Sequence, residues 1–128
     1  MLASSPVLAT LPAENIDRAR EFYTETVGLK ATNFPEQDGV FVLDAGKGTQ
    51  VVVYERERTK AEHTAATFFV DDVEAVVLEL TARGVVFEQY DMNDLSTDER
   101  GIAVMGPAKG AWFKDTEGNI IALFSQDL

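Results

Sequence analysis

The sequence predicts an α+β fold of two βαβββ modules in pseudo-twofold pairing, with mixed sheets enclosing a concave cleft and the helices outside. Three observations predict it. A capped amphipathic helix occurs twice, its caps recurring at an offset of about 57 residues, from Asn15 to Asp72 and from Gly28 to Gly84. A short apolar stretch precedes each helix, and several strand-like segments separated by Gly, Asp and Asn follow it. The length of 128 residues fits a single domain over 1–128, with modules at about 1–58 and 63–128.

Val7–Leu11 reads as the first strand. Asn15 can cap the first helix, in which Ile16, Ala19, Phe22, Tyr23 and Val27 fall on one face, and Gly28 stands where a left-handed stop is expected. Strands are expected near Leu29–Phe34, Val40–Leu43 and Gln50–Tyr54, with turns at Glu36–Gly39 and Ala45–Thr49. The second module repeats this order. Ala66–Val70 leads to a capping-box pair, Asp71 and Glu74, ahead of Val73, Val76, Val77 and Leu80, and Gly84 ends the run. Strands follow near Val85–Tyr90, Ala111–Lys114 and Asn119–Phe124, with a turn at Asp115–Gly118. One helix on one face of a four-stranded sheet leaves the other face concave until a second copy joins it, so the cleft between modules is the expected ligand site. Asp91–Pro107 is the irregularity: a long polar connection interrupted by Ile102–Met105, read either as a lid or as a solvated excursion.

Composition narrows the chemistry. No cysteine is present, which excludes disulfides, thiolate metal sites, iron–sulfur clusters and thiol catalysis. The single histidine, His63, rules out a His-X-X-X-His metal pair. A net charge of −11 makes nucleic acid and anionic membranes poor partners. The excess lies in the second half, where residues 61–128 carry 4 basic and 13 acidic groups against 7 and 9 in residues 1–60; it serves either to attract a cationic ligand or to keep the surface soluble. The first fifteen residues have neither a basic leader nor a long apolar run, and no stretch approaches a membrane span, so a cytoplasmic location is expected. Gly46-Lys47-Gly48-Thr49 lacks the upstream glycine and the hydroxyl of a phosphate loop and reads as a hairpin turn. Asp91-Met92-Asn93 opens like a calcium loop but has Ser96 and Ile102 where glycine and glutamate are needed.

These residues resemble the vicinal oxygen chelate superfamily, which includes glyoxalase I, extradiol dioxygenases and bleomycin resistance proteins. The resemblance is carried by Pro6-Val7-Leu8 leading to Ile16–Tyr23 and Val27-Gly28-Leu29, by Phe69–Val73 leading to Arg83-Gly84-Val85, and by Ala111–Ile121, in which Thr116 stands where the family's final hairpin usually has proline. Enzymes of the family hold a divalent metal with His or Glu from equivalent strands of the two modules. Those positions carry over to Leu8, Val52, Ala65 and Ala122, all hydrocarbon. A catalytic cation needs about three donors converging on one point, so no metal ligand and no cofactor is assigned.

Strand alternation supplies the candidate binding residues. If Val51 and Val53 face the helix, Gln50 and Tyr54 share the ligand-side face with Val52; by the same parity Thr67 and Phe69 go with Ala65, and Ile120 and Phe124 with Ala122. Trp112 joins them if Phe113 is the core residue of its hairpin, and Glu88 and Tyr90 turn the same way if Val85 and Phe87 face the helix. Glu88 then either meets a cationic group or stands in water at a sheet edge, and Phe69 and Phe124 either line a pocket or fill the space between modules. The expectation is a metal-independent small-molecule binding protein of the bleomycin-resistance type, sequestering an aromatic or cationic ligand, with homodimerisation expected by analogy. The alternative is a lyase, isomerase or other enzyme of the superfamily with a non-standard site near His63 and Glu88; no catalytic residue is assigned.

Overall fold

A computed structural model describes residues 1–34, 38–60 and 62–125. The chain forms two compact units, Met1–Thr59 and Lys60–Leu128. Each contains a mixed four-stranded sheet and a helix, giving the predicted α+β class.

In the first unit, strands β1 (Ala9–Ala13), β2 (Lys30–Ala31), β3 (Val40–Asp44) and β4 (Gln50–Glu55) lie in the order β1-β4-β3-β2, with β1 parallel to β4 and the other pairs antiparallel. The first strand begins two residues later than the predicted Val7–Leu11. Its parallel partner sets the register, with Leu11 opposite Val53, and a shift of two leaves every side chain on its original face. Pro12 is tolerated because β1 ends its sheet. Helix α1 (Ile16–Glu21) starts where Asn15 Oδ1 accepts from the Arg18 amide at 3.0 Å. It does not run unbroken to Gly28: Phe22–Thr26 forms a π turn, in which the Val27 amide donates to the Phe22 carbonyl. The Thr24 hydroxyl bonds back to the Arg20 carbonyl at 2.8 Å, the side-chain competition that disturbs a regular ladder.

Of the predicted Leu29–Phe34 strand only Lys30–Ala31 pairs. Beyond it the Thr32 hydroxyl donates to the Val42 carbonyl at 3.0 Å, a side-chain bond in place of a backbone pairing. Part of the predicted Glu36–Gly39 turn, Glu36 and Gln37, lies outside the described residues. The unit's core consists of Leu11, Ala13, Ala19, Tyr23, Phe41, Leu43, Val51 and Val53.

In the second unit, β5 (Thr64–Val70), α2 (Val73–Ala82), a short hairpin of β6 (Asp91–Met92) and β7 (Leu95–Ser96), β8 (Ile102–Met105), β9 (Ala108–Lys114) and β10 (Ile120–Ser125) follow in turn. Their sheet has the order β5-β10-β9-β8, with β5 parallel to β10. Asp72 caps α2, its carboxylate accepting from the Ala75 amide at 3.1 Å. The predicted Asp71–Glu74 capping box does not form, because the Glu74 side chain is drawn to Lys109 and Arg100 instead. After Gly84 the chain returns as Val85–Tyr90, which joins the sheet through one bridge, Phe87 to Phe113, rather than as a full strand. The expected polar excursion at 91–107 contains both the β6–β7 hairpin and β8, which turns into β9 through Gly106-Pro107. Among the described residues no helix is long and apolar enough to cross a membrane.

Candidate binding face

Side-chain alternation divides the second sheet into two faces. Toward α2, the buried Val73, Val77 and Leu80 accompany Ala111, Phe113, Ile121 and Leu123. Phe87 and Phe113 meet edge to face there, with ring centroids 5.5 Å apart. Trp112 therefore points to the opposite, helix-free face, as its neighbour Phe113 predicts.

That face is aromatic. Trp112 stands between Tyr90 and Phe124, each ring centroid 5.6 Å away and each contact edge to face, at 71° and 90°. Such geometry sets the positive edge of one ring against the negative face of another. Ala103, Ile120 and Ala122 are buried beside Trp112, and Leu95 and Met105 pack on the same cluster. Gly110, in register with Phe124, leaves the space that Phe124 and Met105 occupy: a methyl group there would lie 2.8 and 2.9 Å from them. Phe69 stands opposite Phe124 on β5 and is 61% exposed.

Glu88 lies at the margin of this face, 3.6 Å from Lys114 Nζ, while its backbone amide donates to the Trp112 carbonyl. Burial, followed by the nearby Glu88 charge, pushes the Tyr90 phenol above its ordinary pKa.

The predicted residues fall into two groups. Trp112, Tyr90, Phe124, Phe69 and Glu88 belong to the second unit as described. Gln50 and Tyr54 lie on β4 in the first unit, on the face that alternates with buried Val51 and Val53; Gln50 Nε2 donates to Asp44 Oδ1 at 3.0 Å. Leu95, Met105, Ala103 and Gly110 were not anticipated as part of the aromatic face. The apolar run Ile102–Met105 ahead of Gly106-Pro107 was the available signal for the last strand of this set.

The family's metal positions do not fit a metal. Leu8 precedes β1, Val52 lies between Thr10 and Val42, Ala65 falls at the β5 register shift, and Ala122 pairs with Trp112 and Thr67. None carries a donor side chain. Among the described residues no three His, Asp or Glu side chains are grouped so as to hold a metal ion, and His63 is exposed.

Two other features lie away from the aromatic face. A cleft of 570 Å³ runs between α2 and Val85–Gln89, with Leu78, Val86 and Phe87 in its walls; it includes none of the predicted binding residues. In its wall Glu74 bonds to Lys109 and lies 3.5 Å from Arg100, also a lining residue, which in turn pairs with Asp98 at 2.8 Å. The Lys109 hydrogen bond and charge, then the Arg100 charge, hold the Glu74 carboxyl below its ordinary pKa. For Asp98 burial works upward, but the Ile102 and Arg100 amides and the Arg100 guanidinium outweigh it and hold the group low. A depressed carboxyl contributes stability above its unfolded pKa, near 4, and loses it as pH falls through the folded value. Asp98→Asn is therefore expected to flatten the fall in Tm between about pH 5 and pH 3, read by thermal melts across that range.

Two units, each a helix with a mixed four-stranded sheet whose first strand pairs parallel with its last, have the βαβββ arrangement of the vicinal oxygen chelate type. The chain belongs to the Glyoxalase/Bleomycin resistance protein/Dioxygenase superfamily, whose model matches residues 6–123. It is similar in structure to TnmS3, an antibiotic binding protein from Streptomyces sp. CB03234, with TM-score 0.68, 23% identity and 98% of each chain covered. It is also similar to a glyoxalase family protein from Enterococcus faecalis, with TM-score 0.70, 17% identity and 97% of this chain and 99% of that one covered. A lactoylglutathione lyase from Agrobacterium tumefaciens gives TM-score 0.70, 15% identity and coverage of 98% and 96%. No curated protein matches the sequence.

Proposed function

We propose that this protein binds a small aromatic, cationic molecule on the helix-free face of its second sheet, without a catalytic metal. The observation that carries the reading is the Tyr90–Trp112–Phe124 array, set among hydrocarbon side chains where metal-dependent relatives would need donors. Phe69 extends the apolar surface, and the Tyr90 hydroxyl and Glu88 carboxylate supply polar handles at its margin. A cation reaching Glu88 would compete with Lys114 for the carboxylate. The negative net charge favours approach of such a ligand, and the description of TnmS3 as an antibiotic binding protein is consistent with it. The same reading has a cytoplasmic homodimer of single-domain chains, with Gln50 and Tyr54 as candidate ligand contacts on the first unit's own sheet.

Trp112 is the only tryptophan, so its emission reports on the site directly. Titration with 9-aminoacridine, a planar cation, is expected to quench it saturably, with the same affinity in the presence of EDTA. Trp112→Leu should weaken acridine binding, followed by anisotropy, by about 30-fold or more, as loss of a central aromatic anchor does. Absence of saturable binding would sink the reading. Stoichiometric divalent metal in protein purified without chelator, required for turnover, would replace it with the enzyme alternative.

A further inference from the structure

We propose that the β6–β7 hairpin is a displaceable cover over the aromatic face, with Leu95 as the plug that sets which molecules reach Trp112. The inference rests on reading that face as a binding surface, and names how access to it is controlled.

The hairpin is held together by two residue pairs, Asp91 with Ser96 and Met92 with Leu95, around Asn93-Asp94. A two-stranded ribbon this short has no independent stability, so it keeps its place only through what it packs against. Of its six residues, Leu95 alone is half-buried; Asp91, Asn93, Asp94 and Ser96 are exposed, and Met92 is 57% exposed. Leu95 packs on the cluster of Trp112, Ile120, Ala122 and Ala103. An aliphatic side chain thus occupies part of the surface that a ligand's apolar body would cover.

The base of the hairpin is built differently from its tip. The Tyr90 amide donates to Thr97 Oγ1 at 2.8 Å, and the Thr97 amide donates to the Tyr90 carbonyl at 2.9 Å. Immediately beyond, Asp98 accepts from the Arg100 and Ile102 amides, and Arg100 ties the turn to Glu74 on α2. A clamped base with a weakly held tip confines motion to residues 91–96, so that opening need not disturb the sheet. A ligand bound only when Leu95 is withdrawn has its apparent affinity reduced by the fraction of open protein. Leu95 would then discriminate against molecules too small to replace its contacts.

Two ligand-free measurements test the cover. In native-state hydrogen exchange the Asp91–Ser96 amides should exchange about 100-fold or more faster than those of Trp112 and Ala122, with little dependence on denaturant, as local opening does. Acrylamide quenching of Trp112 should rise about 3-fold or more in Leu95→Ala, since the plug is gone while the sheet is intact. Hairpin amides that exchange only through global unfolding, or unchanged quenching in Leu95→Ala, would overturn the proposal. With 9-aminoacridine, Leu95→Ala should bind about 5-fold or more tightly than the native chain, and equal affinity would overturn the plug. Absence of acridine binding to both proteins would overturn the binding reading, whereas exchange and quenching judge the cover independently of it.

Discussion

Phe113→Ala is expected to lower the free energy of unfolding by about 3–5 kcal/mol, the range for truncating a fully buried aromatic residue. Phe113 has no solvent exposure and is among the largest fully enclosed side chains. It lies one residue from the end of β9, opposite Ile121, and its ring meets that of Phe87 at 70°. The bridge between these two residues is also the pairing that holds Val85–Tyr90 to the sheet. Truncation would remove the transfer energy of the ring and leave a void that the surrounding backbone cannot close. Phe113→Leu, which keeps most of the volume, should cost less than half as much, about 1.5 kcal/mol. Urea titrations of the three proteins would measure this, and a loss below about 1 kcal/mol for the alanine variant would show that the second core does not depend on this ring.

Gly101→Ala should destabilise by roughly 3 kcal/mol, combining left-handed backbone strain of about 1–2 kcal/mol with overpacking of about 1–3 kcal/mol. Gly101 has a φ of 89°, and an added Cβ would lie 2.7 Å from Phe87 Cβ and 3.0 Å from the Glu88 carbonyl oxygen. The Glu88 carbonyl is part of the backbone and Phe87 Cβ is bonded to its own Cα, so neither can swing aside as a flexible side-chain end could. Gly28 provides the control inside the same chain: its φ is 90°, but nothing lies within 4 Å of its added Cβ. Gly28→Ala should therefore cost only the conformational part, about 1 kcal/mol. Equal thermal shifts for the two variants would mean that the approach at Gly101 relaxes freely. Because Gly101 sits between the Asp98 turn and β8, its substitution should also move the clamped base of the hairpin, detectable as altered amide shifts at Tyr90 and Thr97.

What the sequence made legible was mostly local. Asn15 and Gly28 marked the first helical segment because a side-chain cap and a left-handed stop are written within a few residues of the helix they bound. Alternation placed Trp112 and Phe113 on opposite faces because strand geometry leaves no other choice. What escaped depended on distant partners. The Asp72 cap marked by the helix repeat is present, but the Asp71–Glu74 box is not, since Glu74 is engaged by Lys109 from β9, 35 residues along the chain. The first strand is displaced because β4 fixes its register. β8 coincides with the apolar run Ile102–Met105 noted in the sequence, but its pairing with β9 depends on the turn at Gly106-Pro107 and was not foreseen. Leu95 is brought to the Trp112 cluster only by the folded-back hairpin, a contact that no local pattern encodes. The metal positions were legible as hydrocarbon from residue type alone, whereas the identity of a ligand is not encoded in any spacing.

The place of β5 carries a consequence for how the molecule survives in a crowded solution. Seven successive residues, Thr64–Val70, contain no charge and no proline, yet form the terminal strand of their sheet. Such a segment is a template for intermolecular cross-β growth. Glu62 on one side and Asp71 and Asp72 on the other act as gatekeepers, because stacking identical chains in register would bring these carboxylates into rows of like charge. Part of the acidity read first as a lure for cations therefore also protects the chain from its own copies.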